Sequence, residues 1–244
     1  MFSAHPRLLE EFCPTKDGVQ IEILCSPDLS QGIPVILVPG MLGTASMLAD
    51  RLEVLAPRPG ITMSHRGCGK SSSPVEGHYD FQSRCHDIEA IVDHFQLKRY
   101  FLYGFSRGVA LVLQHCLQYP EQVAGLVLDD AEPIYPELSR DWLDRMNAAQ
   151  FLWAHPFALQ RIQMESQEIR FHDRLSEIKA PSLIFRGVLD GSLLSREAAV
   201  NMQTLLHSAE LIHLPQSGHG ASIEDFPKFR DALVDFFNRI DPPS

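Results

Sequence analysis

The run Gly104-Phe105-Ser106-Arg107-Gly108 sets a hydroxyl between two glycines, each two residues away. It follows the apolar stretch Tyr100-Phe101-Leu102-Tyr103 and leads directly into the amphipathic segment Arg107 to Gln118, so Ser106 stands on a sharp strand-to-helix turn. Such a turn projects the hydroxyl away from a sheet and beside a helix N-terminus, where developing negative charge is favoured. A helix N-cap would explain a serine here, but the strand before it and the paired glycines point to a nucleophile. A serine hydroxyl needs a base, and attack on a carbonyl carbon is then the expected chemistry. Of the 11 histidines, His219 in Ser217-Gly218-His219-Gly220 is the best placed, in a glycine-flanked loop after the last apolar run. The orienting acid is expected at Asp190, in Gly187-Val188-Leu189-Asp190-Gly191, just beyond another apolar run. Asp190 would also serve as a plain turn former before Gly191. The rival is the pair Asp129-Asp130, which ends the run Leu126-Val127-Leu128.

The elements that must position these residues alternate along the chain. Val19 to Ile23 alternates with period two, as a strand exposed on one face does. Val35-Ile36-Leu37-Val38 is continuously apolar, as a strand covered on both faces must be. Similar runs occupy Ile61 to Met63, Tyr100 to Tyr103, Val123 to Leu128, Leu183 to Phe185 and Glu210 to His213. Helical patterns lie between them at Ala45 to Leu55, Cys85 to Phe95, Arg107 to Gln118, Ser195 to Leu206 and Phe226 to Ile240. Strand followed by helix, repeated, predicts an α/β fold with a mostly parallel sheet of about eight strands and helices on both faces. Ligand and catalytic groups of such sheets gather at the carboxyl ends of the strands. The rhythm breaks over residues 131–180, which hold no buried-strand run but carry Tyr135, Trp142, Phe151, Trp153 and Phe157. That stretch is expected to be a helical cap inserted into a core formed by residues 1–130 and 181–244.

Composition narrows the function classes. The chain has 244 residues, 45% hydrophobic and 21% charged, which suits one large globular domain with an insertion. A formal charge of -10 without a basic stripe disfavours nucleic acid as a partner. No run of apolar residues is long enough for a membrane span. Met1 to Arg7 lacks the basic and apolar regions of a secretory signal. The five cysteines (Cys13, Cys25, Cys68, Cys85, Cys116) have no CxxC spacing and read as reduced core thiols of a cytoplasmic protein. Gly69-Lys70-Ser71 lacks the earlier glycine of a phosphate-binding loop, with Ser64 in its place. Cys85-His86-Asp87 opens a helix without a second ligand cluster, so no metal site is expected, and no cofactor is called for.

Together these residues resemble the α/β-hydrolase fold family, in the group with a compact helical cap, over about Val19 to Phe237. Ser106, Asp190 and His219 follow the family's chain order of nucleophile, acid and base. Val38-Pro39-Gly40-Met41-Leu42-Gly43 resembles the family's loop after the third strand, which implies an oxyanion hole made by the backbone N–H groups of Met41 and Arg107. Arg66-Gly67-Cys68-Gly69-Lys70-Ser71 resembles its Arg-Gly-x-Gly-x-Ser turn, and Ile178 to Leu183 its entry to the acid-bearing strand. Three positions depart from the pattern. Pro39 stands where a histidine usually opens the oxyanion loop, Ser64 where an aspartate precedes the Arg-Gly turn, and Arg107 where the nucleophile's neighbour is often small or apolar. Arg107 is expected to bridge to the cap, with contact to an acidic substrate group as the alternative. The resemblance implies hydrolysis of a small or medium carboxylic ester through an acyl-enzyme. Lactone, amide or carbon–carbon bond hydrolysis on the same residues, acyl transfer to an alcohol, and a non-catalytic small-molecule binder stay open. Oligomeric state is not legible in the sequence.

Overall fold

The computed structural model describes residues 8–149 and 152–242. The chain runs β1 (Leu9–Pro14), β2 (Gln20–Cys25), β3 (Val35–Val38), α1 (Ala49–Leu55), β4 (Gly60–Met63), α2 (Phe81–His94), β5 (Tyr100–Phe105), α3 (Gly108–Gln118) and β6 (Val123–Asp129). There follow β7 (Ile134–Tyr135), α4 (Arg140–Ala149), α5 (Pro156–Met164), β8 (Ile169–Arg170), β9 (Ser182–Gly187), α6 (Arg196–Leu205), β10 (Ala209–Leu214) and α7 (Phe226–Ile240). Eight strands form one sheet in the order β1-β2-β4-β3-β5-β6-β9-β10. β1 and β2 are antiparallel to their neighbours, and from β4 to β10 the pairing is parallel.

The strands β3, β4, β5 and β6 are buried almost throughout, because helices cover both faces. On one face the residues Ile88 and Ile91 of α2, Val109 and Val112 of α3, and Met202 of α6 pack against Ile36, Leu102 and Ile184. On the other, Leu52 of α1 and Phe229, Leu233, Phe236 and Phe237 of α7 pack against Leu37, Phe101 and Phe185. The α7 residues recur at intervals of four, three and one, which puts them on one helical stripe, and each such side chain contributes about 2 kcal/mol by leaving water. All five cysteines are buried and unpaired. No described helix is long and apolar enough to cross a membrane.

Three features go beyond the pattern read from sequence. β1, with Glu10 and Glu11 in its middle, pairs at the sheet edge where charged side chains remain in water. α2 starts at Phe81, four residues before the expected Cys85, because the Asp80 side chain accepts a hydrogen bond from the Ser83 N–H and caps it. Residues 131–180 contain α4 and α5 but also the ribbon β7/β8, so the segment is not helical throughout. It rests beyond the carboxyl ends of β3 and β4, where Leu138, Leu143, Ala158 and Leu159 meet Leu42, Cys68 and Tyr79. Backbone bonds from Gly69 N–H to Trp153 O (2.7 Å) and from His155 N–H to Gly67 O (3.1 Å) stitch it to the core. Phe151 lies outside the described residues.

Candidate active site

Ser106 occupies the turn between β5 and α3 with φ of 53°, the left-handed region that a serine adopts only when the surroundings enforce it. The glycines permit this. A Cβ on Gly104 would lie 2.6 Å from a Val112 methyl, and one on Gly108 would lie 2.4 Å from Val38 O. Strand and helix thus approach more closely than any side chain allows. The Ser106 N–H donates to Asp129 O at 2.9 Å, which ties the turn to the end of β6.

The loop after β3 abuts the same residue: a Cβ on Gly40 would sit 2.9 Å from Ser106 Cβ and 3.3 Å from its Oγ. Gly43 N–H to Gly40 O (3.0 Å) and His65 N–H to Gly43 O (3.1 Å) hold the loop's shape. Pro39, where the family usually has histidine, is supported from elsewhere: His65 Nε2 bonds its carbonyl at 3.0 Å. Burial, with Arg84 nearby, pushes the His65 pKa down to about 3, so the neutral ring donates this bond. Among the described residues, neither the Met41 N–H nor the Arg107 N–H has a protein acceptor. Both residues line a cleft of about 500 Å³ together with Ser106, Pro136, Trp142 and Leu193.

The acid beside His219 is Asp130, not the expected Asp190. His219 Nδ1 lies 2.9 Å from Asp130 Oδ2, and the imidazole stacks on Phe105, whose ring centroid is 4.8 Å away. Asp130 is 1% exposed. Burial alone would raise its pKa, but bonds from His219, Ser192 Oγ (2.6 Å), Gly187 N–H (3.0 Å) and Leu193 N–H (3.3 Å) outweigh it and hold the carboxyl below its usual range. Asp190 is exposed, and among the described residues its carboxylate meets no histidine.

The physical reason lies at the end of β9. A Cβ on Gly187 would fall 1.9 Å from Gly218 O, so the His219 loop lies directly across that strand end. Val188 N–H then bonds Leu214 O (3.1 Å) and Leu189 N–H bonds Ser217 O (2.9 Å), which carries Asp190 outward. β6 pairs with β9 through Asp129 and Phe185, so the residue just after β6, Asp130, is the carboxylate that His219 can reach. The signal available in sequence was the Asp129-Asp130 pair at a buried strand's end. Nothing in the residue types separates it from an aspartate one strand further along. Asp129 itself is fully buried beneath, bonded by Tyr103 Oη, and burial raises its pKa to about 6.

Ser106 and His219 are brought to the same strand ends without bonding: among the described residues, Ser106 Oγ has no hydrogen-bond partner, and the His219 ring lies against the adjacent Phe105. Arg107 does reach residues 131–180, but not through an ion pair. Its guanidinium lies 3.6 Å from the centroid of the Tyr135 ring, donates to Pro136 O at 2.5 Å, and donates to Met41 Sδ. Ser64 bonds Glu22 (2.6 Å) rather than Arg66, and Arg66 is paired with Asp87 (2.6 Å) and Asp17 (2.8 Å). The Asp87 of the Cys85-His86-Asp87 run is thus an ion-pair partner.

With this geometry in view, the chain's relatives fall into place. Residues 33–163 match the model of the alpha/beta hydrolase fold family, and the chain belongs to that family. It is 24% identical to the AB hydrolase superfamily protein YisY of Bacillus subtilis, over 86% of this chain and 94% of that one. It shares the fold of a hydrolase from Pseudomonas aeruginosa (TM-score 0.79, 18% identity, 93% of this chain and 98% of the other). An esterase from Exiguobacterium antarcticum is similarly alike (TM-score 0.75, 22% identity, 93% and 99%).

Proposed function

We propose that this protein is a serine hydrolase that cleaves small or medium carboxylic esters, with Ser106 as nucleophile, His219 as base and Asp130 as the orienting acid. The observation that carries the reading is the His219–Asp130 pair beside a serine held in the left-handed region at the end of β5. His219 Nε2 takes the Ser106 proton as Oγ attacks the carbonyl carbon, while Asp130 holds Nδ1–H and stabilises the imidazolium. The Met41 and Arg107 N–H groups donate to the oxyanion, each worth about 3 kcal/mol in the transition state. His219 then protonates the leaving alcohol, and a water that it activates clears the acyl-enzyme. The missing Ser106–His219 bond is compatible with this, because such contacts are often long until substrate closes them. The name of the esterase from Exiguobacterium antarcticum accords with an ester substrate, and that of the putative carbamate hydrolase RutD of Klebsiella pneumoniae with a carbamate.

The test is hydrolysis of p-nitrophenyl esters from acetate upward by wild type and Ser106→Ala. Activity that peaks at short acyl chains and disappears in the variant is expected. A folded wild type that neither turns over any ester nor forms a covalent adduct at Ser106 with a serine-reactive phosphonate overturns the reading.

A further inference from the structure

Arg107 is 7% exposed and lines the cleft, yet among the described residues no carboxylate lies within the 4.0 Å of an ion pair. Its hydrogen-bond partners are one carbonyl, Pro136 O, and one thioether, Met41 Sδ, which is a weak acceptor. Its Nε is buried with no partner. A second guanidinium deepens the imbalance: Arg84 is 2% exposed and, among the described residues, bonds only Tyr79 O (3.3 Å) and has a buried Nη2 without a partner. Buried Arg66 shows what this chain does with a structural arginine, pairing it with two aspartates. Arg107 has none, and it directly follows the nucleophile.

We propose that the Arg107 side chain selects substrates that carry a carboxylate a few atoms from the scissile ester, such as half-esters of dicarboxylic acids. A bound carboxylate would replace the thioether with a strong acceptor and give the desolvated cation its counter-charge. Burial, opposed by the Tyr135 phenol and reinforced by Arg84, lowers the Arg107 pKa to about 10, so the cation persists at neutral pH. Two glutamates also line the cleft, and both are engaged elsewhere: Glu132 accepts from Ser195 Oγ (3.0 Å) and Glu168 pairs with Arg170 (2.8 Å). They leave the Arg107 end as the place for an anion. The inference rests on the serine-hydrolase reading for its substrate bond but not for its binding group.

The experiment compares p-nitrophenyl hemiglutarate with p-nitrophenyl valerate, which have equal chain length and differ by the carboxylate. Wild type is expected to favour the hemiglutarate in kcat/KM by about tenfold or more, chiefly through KM, despite the protein's charge of -10. Arg107→Gln should abolish that ratio and Arg107→Lys should restore part of it. An arginine that only anchored Tyr135 and Pro136 would lower both substrates alike and leave the ratio untouched. Glutarate, which has no ester bond, is titrated calorimetrically into wild type and both variants as an independent readout. Arg107-dependent glutarate binding without any ester turnover would uphold this inference and overturn the serine-hydrolase reading. Ester turnover with no preference for hemiglutarate would overturn this inference alone. If Arg107→Gln fails to fold, Arg107→Met, which keeps an unbranched apolar stem without the charge, takes its place: a ratio equal to wild type's overturns the inference.

Discussion

The two walls of the cleft solve the burial of charge in opposite ways. On the β6–β9 side, Asp130 accepts from an imidazole, a hydroxyl and two backbone N–H groups, so its ionised form is fixed in place before any ligand arrives. On the side facing residues 131–180, Arg107 Nε at the cleft, and Arg84 Nη2, His65 Nδ1 and Tyr79 Oη outside its lining, are buried without partners among the described residues. Each such group costs about 1–3 kcal/mol if nothing satisfies it. Around Asp130 the first wall completes its hydrogen bonds without a ligand. The second keeps two guanidinium donors, Arg107 Nε and Arg84 Nη2, whose electrostatic value is realised only with an anion beside them, which is how recognition sites differ from structural ones.

The comparison breaks most sharply at the acid. Asp130→Asn leaves a group of the same shape but can no longer stabilise the imidazolium and favours the wrong tautomer, so kcat should fall by about 10⁴-fold. Asp190→Asn, at an exposed site beyond the end of β9, should leave kcat near wild type. Steady-state kinetics on a single ester measures both. A dead Asp190→Asn beside an active Asp130→Asn would reverse the assignment.

A smaller effect separates paired from unpaired arginines. Arg66 and Asp87 are both fully buried and bonded twice, Nε to Oδ2 at 3.0 Å and Nη2 to Oδ1 at 2.6 Å. Asp87→Ala leaves the Arg66 guanidinium with the partly exposed Asp17 and the His78 carbonyl (2.6 Å) and should cost about 3–5 kcal/mol in denaturant unfolding. Arg84→Met removes a guanidinium that has no carboxylate and should cost distinctly less. Equal losses would mean that Arg84 is as structural as Arg66, and that the imbalance of charge at the second wall carries no functional meaning.

The same contrast explains what sequence could and could not reveal. The central strands, α3 and α7 were legible because burial on both faces leaves continuous apolar runs and a helical stripe leaves a fixed period. Ser106 was legible because a strained turn demands glycine at defined offsets, Gly104 and Gly108, and that demand is local. The partner of His219 was not, because it depends on which strand end the Gly218 loop crosses, a contact across some ninety positions fixed by Gly187 and the β6–β9 register. The β7/β8 ribbon is two residues per strand, too short for any period to register. The polar support of the oxyanion loop by His65 was hidden likewise: the histidine lies 26 positions from the carbonyl it holds.

The smallest effect concerns neighbours in the chain, Asp129 and Asp130, whose pKa values move in opposite directions. Burial raises the Asp129 pKa from 3.8 to about 6, so the folded state keeps a proton that the unfolded chain has already released. Between about pH 4 and pH 6 the unfolded state therefore binds fewer protons at this site, and stability falls as pH rises, by up to about 2–3 kcal/mol, then levels off. Asp130, held below its usual range, acts with the reverse sign: its contribution is present above about pH 4 and is lost as pH falls through its folded value. The two windows barely overlap, so denaturant unfolding at pH 4.5 and pH 7 isolates Asp129. Asp129→Asn retains an acceptor for Tyr103 Oη but cannot titrate, and its stability relative to wild type should rise between those two pH values. No change would mean that Asp129 is ionised throughout. The negative charge beneath His219 would then be double even at pH 4.5, rather than only above about pH 6.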